Sequence, residues 1–164
     1  VDFVIAERDA KLKIKTFLPV ELQAVDITGS VLPEYMALTS SQMAKGTPSY
    51  GFNWANVRKR FISQLIAKGY FCHHWGTRIV AVVQSDLFDE FQRHAKAPAV
   101  SIKDSNIVFM LYQFVWSEVE KRWNFKLERV VPTTHVNVMN AILYEQPPDK
   151  QAFERKIIER IQAP

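Results

Sequence analysis

The stretch Phe17-Leu18-Pro19-Val20-Glu21-Leu22-Gln23-Ala24-Val25-Asp26-Ile27 decides the fold. Its alternation is that of a strand: Val20, Leu22 and Ala24 share one face, Glu21 and Gln23 the other. A carboxylate and a carboxamide therefore stand side by side on an otherwise apolar strand. Burying a carboxylate without compensation is costly, so Glu21 needs a cation, another partner or solvent. Upstream lies a second apolar run, Val1-Asp2-Phe3-Val4-Ile5-Ala6, with a single acid, Asp2, at its start. If the two strands pair as a hairpin, Asp2 comes near Glu21. Two carboxylates converging on a sheet surface suit a hard divalent cation such as Mg²⁺.

The order Asp2, hairpin, Glu21-Leu22-Gln23 resembles the PD-(D/E)xK nuclease superfamily. It departs from that pattern twice: Val1 stands where Pro is usual, and Gln23 where Lys is usual. The wider run from Val20 to Asp26 resembles the restriction endonuclease family typified by NotI. The superfamily resemblance covers about the first half of the chain. It implies an α/β domain with a central mixed β-sheet flanked by helices, a restriction-endonuclease-like core. It also implies Mg²⁺-dependent hydrolysis of phosphodiester bonds in double-stranded DNA, as in a type II restriction endonuclease of a restriction-modification pair. On that reading Asp2 and Glu21 hold the metal and Gln23 orients water or a phosphate oxygen. A cation on the adjacent helix, Lys59, stands in for the missing lysine. Enzymes of this kind that cut palindromes act as homodimers, which follows from the symmetry of the site.

Composition is compatible with this. The chain has 164 residues, 48% of them hydrophobic, enough for one globular domain over 1–164. A start at Val1, almost on the candidate Asp2, leads us to expect a fragment whose parent carries a further N-terminal part. The net charge of +4 and pI near 9.2 suit a polyanionic partner without requiring one. The single cysteine, Cys72, excludes an internal disulfide and a cysteine-cluster zinc site, and points to a reducing, cytoplasmic setting. No apolar run approaches a membrane span and no signal-peptide pattern is present.

Along the chain, residues 2–8 read as a strand, and the run from Leu12 to Phe17 joins the strand that continues to Ile27, with Pro19 an irregularity. Residues 31–52 read as a loop with one short helix. Asn53 is placed as an N-cap and Gly69 as the helix stop. Between them Trp54, Val57, Phe61, Leu65 and Ile66 keep helical spacing, while Arg58, Lys59, Arg60 and Lys68 occupy other faces. The apolar run from Thr77 to Gln84 predicts a strand covered on both faces. Strand, strand, helix, strand is the order of a nuclease core, with a right-handed last crossover. A helix capped by Ser85 or Asp86 then runs to about Ala95. Strands are expected at 99–102, 106–116 and 125–131, a helix after Thr133 or Thr134, and a final helix at 150–162.

Each candidate also has a plainer reading. Glu21 can simply pair with a nearby lysine, and Gln23 can be a hydrogen-bonded strand residue. Asp26 lies on the opposite face from Glu21 and suits a turn; Glu7 is a distant candidate ligand. His73 and His74, adjacent and with only His94 and His135 elsewhere, suit a polar loop after the helix better than a zinc site. Cys72 reads as a small core residue. For DNA contact the candidates are Arg58, Lys59 and Arg60, with Lys45, Ser49, Tyr50 and Asn53 around the insertion. Arg122, Lys126 and Arg129 form a second basic group. Two other functions fit the same residues: a structure-specific repair or mobile-element nuclease, and a catalytically silent nucleic-acid-binding module.

Overall fold

The computed structural model describes residues 1–24, 27–40, 51–53, 57–143 and 149–162. Asp26, Lys45, Ser49, Tyr50 and Trp54 lie outside the described residues, as does the side chain of Arg58. In chain order the elements are β1 (Phe3–Arg8), β2 (Ile14–Gln23), β3 (Ile27–Thr28), α1 (Leu32–Thr39) and β4 (Gly51–Phe52). A wide π-helical turn, Val57–Ile62, leads into α2 (Ser63–His74), then β5 (Ile79–Gln84) and α3 (Ser85–Ala95). The chain continues through β6 (Ile107–Ser117), β7 (Arg122–Thr133), α4 (His135–Leu143) and α5 (Lys150–Gln162).

Five strands form one mixed sheet in the order β1-β2-β5-β6-β7. The β1–β2 hairpin is antiparallel, with Phe3 opposite Val20. β2 then runs parallel to β5, and β5 parallel to β6. Both parallel connections pass through a helix on the same face and step in the same direction, so they keep one sense. Pro19 lies inside β2, but the β5 ladder starts one residue later, at Val20↔Val80. Its missing N–H therefore removes no bond from that ladder.

The core lies on one face of the sheet. Ile79, Ala81 and Val83 of β5 and Ile107, Phe109 and Leu111 of β6 face Phe61 and Ile62 of the π-helical turn and Leu65 and Cys72 of α2. Leu87, Phe88 and Phe91 of α3 and Val138 of α4 complete that layer. The opposite face is different. Val80 and Val82 are only half-buried, and Phe3, Ile5 and Leu22 are exposed. The expectation that β5 is covered on both faces is therefore corrected: among the described residues its burial alternates, buried then half-buried.

Three further expectations change. Residues 99–102 form no strand; Val100 donates one backbone bond to Pro132 and a turn follows at Ser101–Asp104. The long strand stops at Gln23, and Ile27–Thr28 pairs separately with Gly51–Phe52. Gly69 does not stop the helix; α2 runs on to His74, and His73 and His74 form its last turn. Glycine is there because the helix presses on β6 and α4. A Cβ at Gly69 would sit 2.8 Å from Ile107 Cγ1 and 3.1 Å from His135 Cβ. Of the caps read from the sequence, Thr134 forms, its Oγ1 accepting from Asn137 N, whereas Ser85 and Asp86 lie inside α3, whose N-cap is Gln84 without a side-chain bond; Asp149 Oδ1 also caps α5, accepting from Ala152 N.

Gly69→Ala is expected to lower stability by about 1–2 kcal/mol in urea denaturation. Overpacking costs about 1–3 kcal/mol and outweighs the gain in helix propensity of up to about 1 kcal/mol. A variant as stable as the wild type would show that the α2–β6 contact has slack.

Candidate active site

The hairpin register brings Asp2 opposite Glu21, because Phe3 pairs with Val20 and Asp2 N donates to Val20 O at 3.1 Å. Both side chains then point to the helix side of the sheet, where Glu21 is level with buried Ala81. The Asp2 carboxylate is fixed against the strand: Leu22 N donates to its Oδ2 at 2.7 Å. Asp2 is exposed, whereas Glu21 is only 9% exposed. Gln23 follows on the same face at the carboxyl end of β2, half-buried, its amide donating to Ala24 O.

A buried carboxylate must have a partner, and α2 supplies it. Lys68 Nζ donates to Glu21 Oε1 at 2.6 Å. The other oxygen, Oε2, is buried without a hydrogen bond, 3.6 Å from the Val1 nitrogen. One edge of the site thus carries an exposed carboxylate, a buried carboxylate with one oxygen that accepts no hydrogen bond, a carboxamide and an ammonium. Hard oxygen donors of this kind fit Mg²⁺, which is commonly held by one or two carboxylates and completes its shell with water and phosphate oxygens. Among the described residues no group of three or more His, Cys, Asp or Glu side chains is gathered for a metal.

The cation beside Glu21 is Lys68, not Lys59. Lys59 is exposed in the π-helical turn, and Arg60 beside it is exposed too. The signal was present in the spacing. Lys68 is seven residues after Phe61, three after Leu65 and four before Cys72, all buried, so it lies on the core-facing stripe. Lys59 falls two residues before Phe61 and off that stripe. Asn53 is half-buried at the end of β4. Glu7 lies at the far end of the hairpin, paired with Lys15 at 3.3 Å, away from Asp2.

The remaining polar residues separate from this site. Burial and the neighbouring His73 and His74 hold His135 below its ordinary pKa, and the three rings cluster where α2 meets α4. Cys72 is buried, which raises its thiol pKa. Arg129 pairs with Asp89 and sits 5.5 Å from the Phe88 ring centre, so it braces β7 on α3. At the carboxyl end of β5, Ser85 donates to Glu128 beside a cavity of about 300 Å³ lined by Gln84, Asp86, Tyr112 and Gln113.

A mixed five-stranded sheet with helices packed on one face is consistent with a restriction-endonuclease-like core. The model of the family described as restriction endonuclease NotI matches residues 1–142. The chain belongs to that family, which makes it a nuclease, a hydrolase with DNA as its substrate. No curated protein matches the chain. Among the described residues, no helix is long and apolar enough to cross a membrane.

Removing the ammonium while keeping the carboxylate should expose how the site is held. Lys68→Met is expected to lower stability at pH 7 by about 1–3 kcal/mol, the cost of leaving a largely buried charge unpaired beside a partly exposed partner. Adding Glu21→Gln should recover most of the loss in a double-mutant cycle followed by urea denaturation. Additive losses would mean that the two side chains do not act as a pair.

Proposed function

We propose that this protein is a Mg²⁺-dependent type II restriction endonuclease of the PD-(D/E)xK kind, cutting phosphodiester bonds in double-stranded DNA. The observation that carries the reading is the pairing of Asp2 with Glu21 on one face of the hairpin. Asp2 and Glu21 would hold the metal. A divalent cation bound there would supply Lewis-acid polarisation of the scissile phosphate and a more acidic water. Lys68 holds Glu21 in place and brings a positive charge to the site. Gln23 cannot serve as a general base; its amide donates to a phosphate oxygen or orients the attacking water. In that complex the amide exchanges its bond to Ala24 O for one to substrate. Lys59 and Arg60, exposed at the start of the helix, contact phosphate without reading sequence. A homodimer matches the two-fold symmetry of a palindromic site, and the uncovered apolar face of the sheet offers it contact area.

Plasmid DNA incubated with the protein and Mg²⁺ should be cut at discrete sites. EDTA should abolish cutting, and Glu21→Ala should slow it on the order of 100-fold or more, as losing several kcal/mol of metal assistance requires. Equal cutting by Glu21→Ala would remove this site from the chemistry. Retention of DNA in a gel shift without cutting by any form would make the protein a binding module instead.

A further inference from the structure

Beyond the carboxylate site, β6 and β7 do something the rest of the sheet does not. β5 pairs with β6 only as far as Gln84↔Tyr112. β6 and β7 stay paired five residues further, to Ser117↔Arg122. The stretch Gln113–Ser117 and its partners thus leave the sheet as a two-stranded arm about 17 Å long, at roughly 3.4 Å per residue. The arm departs from the edge that carries the active site. Gln23 is level with Val83, and Val83 with Leu111, so the arm begins two residues beyond Gln23. The lateral offset is two strand spacings, about 10 Å.

The arm has two unlike faces. One is aromatic: Phe114 opposes Phe125 and Trp116 opposes Trp123, with Tyr112 stacked on Phe125 at its root. The other is polar: Gln113 opposes Lys126, Val115 opposes Asn124 and Ser117 opposes Arg122. Alternation along β6 puts Gln113 on the side of Phe109 and Leu111, and the register carries that side across the sheet to Glu21 and Gln23. The polar face of the arm and the carboxylate site therefore look the same way.

Its side chains are the types that read bases. Gln and Asn match adenine bidentately, and Lys and Arg match the guanine edge. Glu120 holds Asn124 by a 2.5 Å bond and Arg122 by one of 3.2 Å, so two of the four are oriented in advance. The cavity at the arm's root adds the carboxylates Asp86 and Glu128. A carboxylate repels phosphate but accepts from the cytosine amino group. A two-stranded ribbon fits a major groove about 12 Å wide.

We propose that the β6–β7 arm reads DNA sequence, laying its Gln113–Asn124–Lys126 face into the major groove beside the cut. This rests on the DNA-cleaving reading above. The arm decides where the enzyme cuts, and the hairpin site carries out the cutting.

The test uses two cysteine variants, since Cys72 is buried and the introduced thiol is the one that reacts. Val115→Cys places a photo-crosslinker on the polar face and Phe114→Cys places one on the aromatic face. Each is irradiated with sheared plasmid DNA. Crosslinking from position 115 at least about tenfold above position 114 is expected; equal yields, the reverse ratio or no crosslink from either overturns the proposal. In Gln113→Ala and Lys126→Ala, the plasmid ends produced are sequenced. Discrimination at one or two base positions should fall about tenfold or more, and an unchanged cut sequence overturns the proposal. If the wild type does not cut at all, the nuclease reading fails and the crosslinking ratio alone decides the arm.

Discussion

The site depends on a single ion pair, Glu21 of β2 with Lys68 of α2, at 2.6 Å between sheet and helix. A carboxylate on the core side of a parallel strand is costly to bury without a partner. Lys68 supplies that partner and is itself placed by the stripe that buries Phe61, Leu65 and Cys72. The ammonium therefore reaches Glu21 only if the helix packs correctly. Gly69, next to Lys68, allows this by letting α2 approach Ile107 and His135. Folding and site assembly are one event here: the contact that seats the helix also fixes the charge. Asp2, in contrast, is positioned by the hairpin alone, through Leu22 N–H.

The sheet is built asymmetrically around this pair. Helices α2, α3 and α4 cover one face, and every buried side chain of β5 points that way. Parallel strands usually have both faces covered. Here the second face carries exposed Leu22, Phe114, Phe125 and Val130 among the described residues.

Much of this was legible in the sequence, for stated physical reasons. Period-two alternation through Glu21 and Gln23 gave the strand and the face they share. The apolar runs gave β5 and β6, and the hydroxyl cap at Thr134 gave one helix start. Local pattern failed where tertiary contact overrides it. Gly69 reads as a helix stop by propensity but is a packing glycine. The uncovered face could not be read from β5, because an apolar run looks the same whether one side is covered or two. The arm was hidden for a related reason: its aromatic face resembles core, and only the register shows that β5 stops short of it.

The central claim is that the Asp2–Glu21 pair is the seat of a divalent cation. The most direct measurement is Mn²⁺ binding, followed by electron paramagnetic resonance in the absence of DNA, for the wild type, Asp2→Asn and Glu21→Gln. The account predicts saturable binding by the wild type that each substitution weakens at least about tenfold and that Mg²⁺ displaces. Binding of equal strength in all three proteins would contradict it.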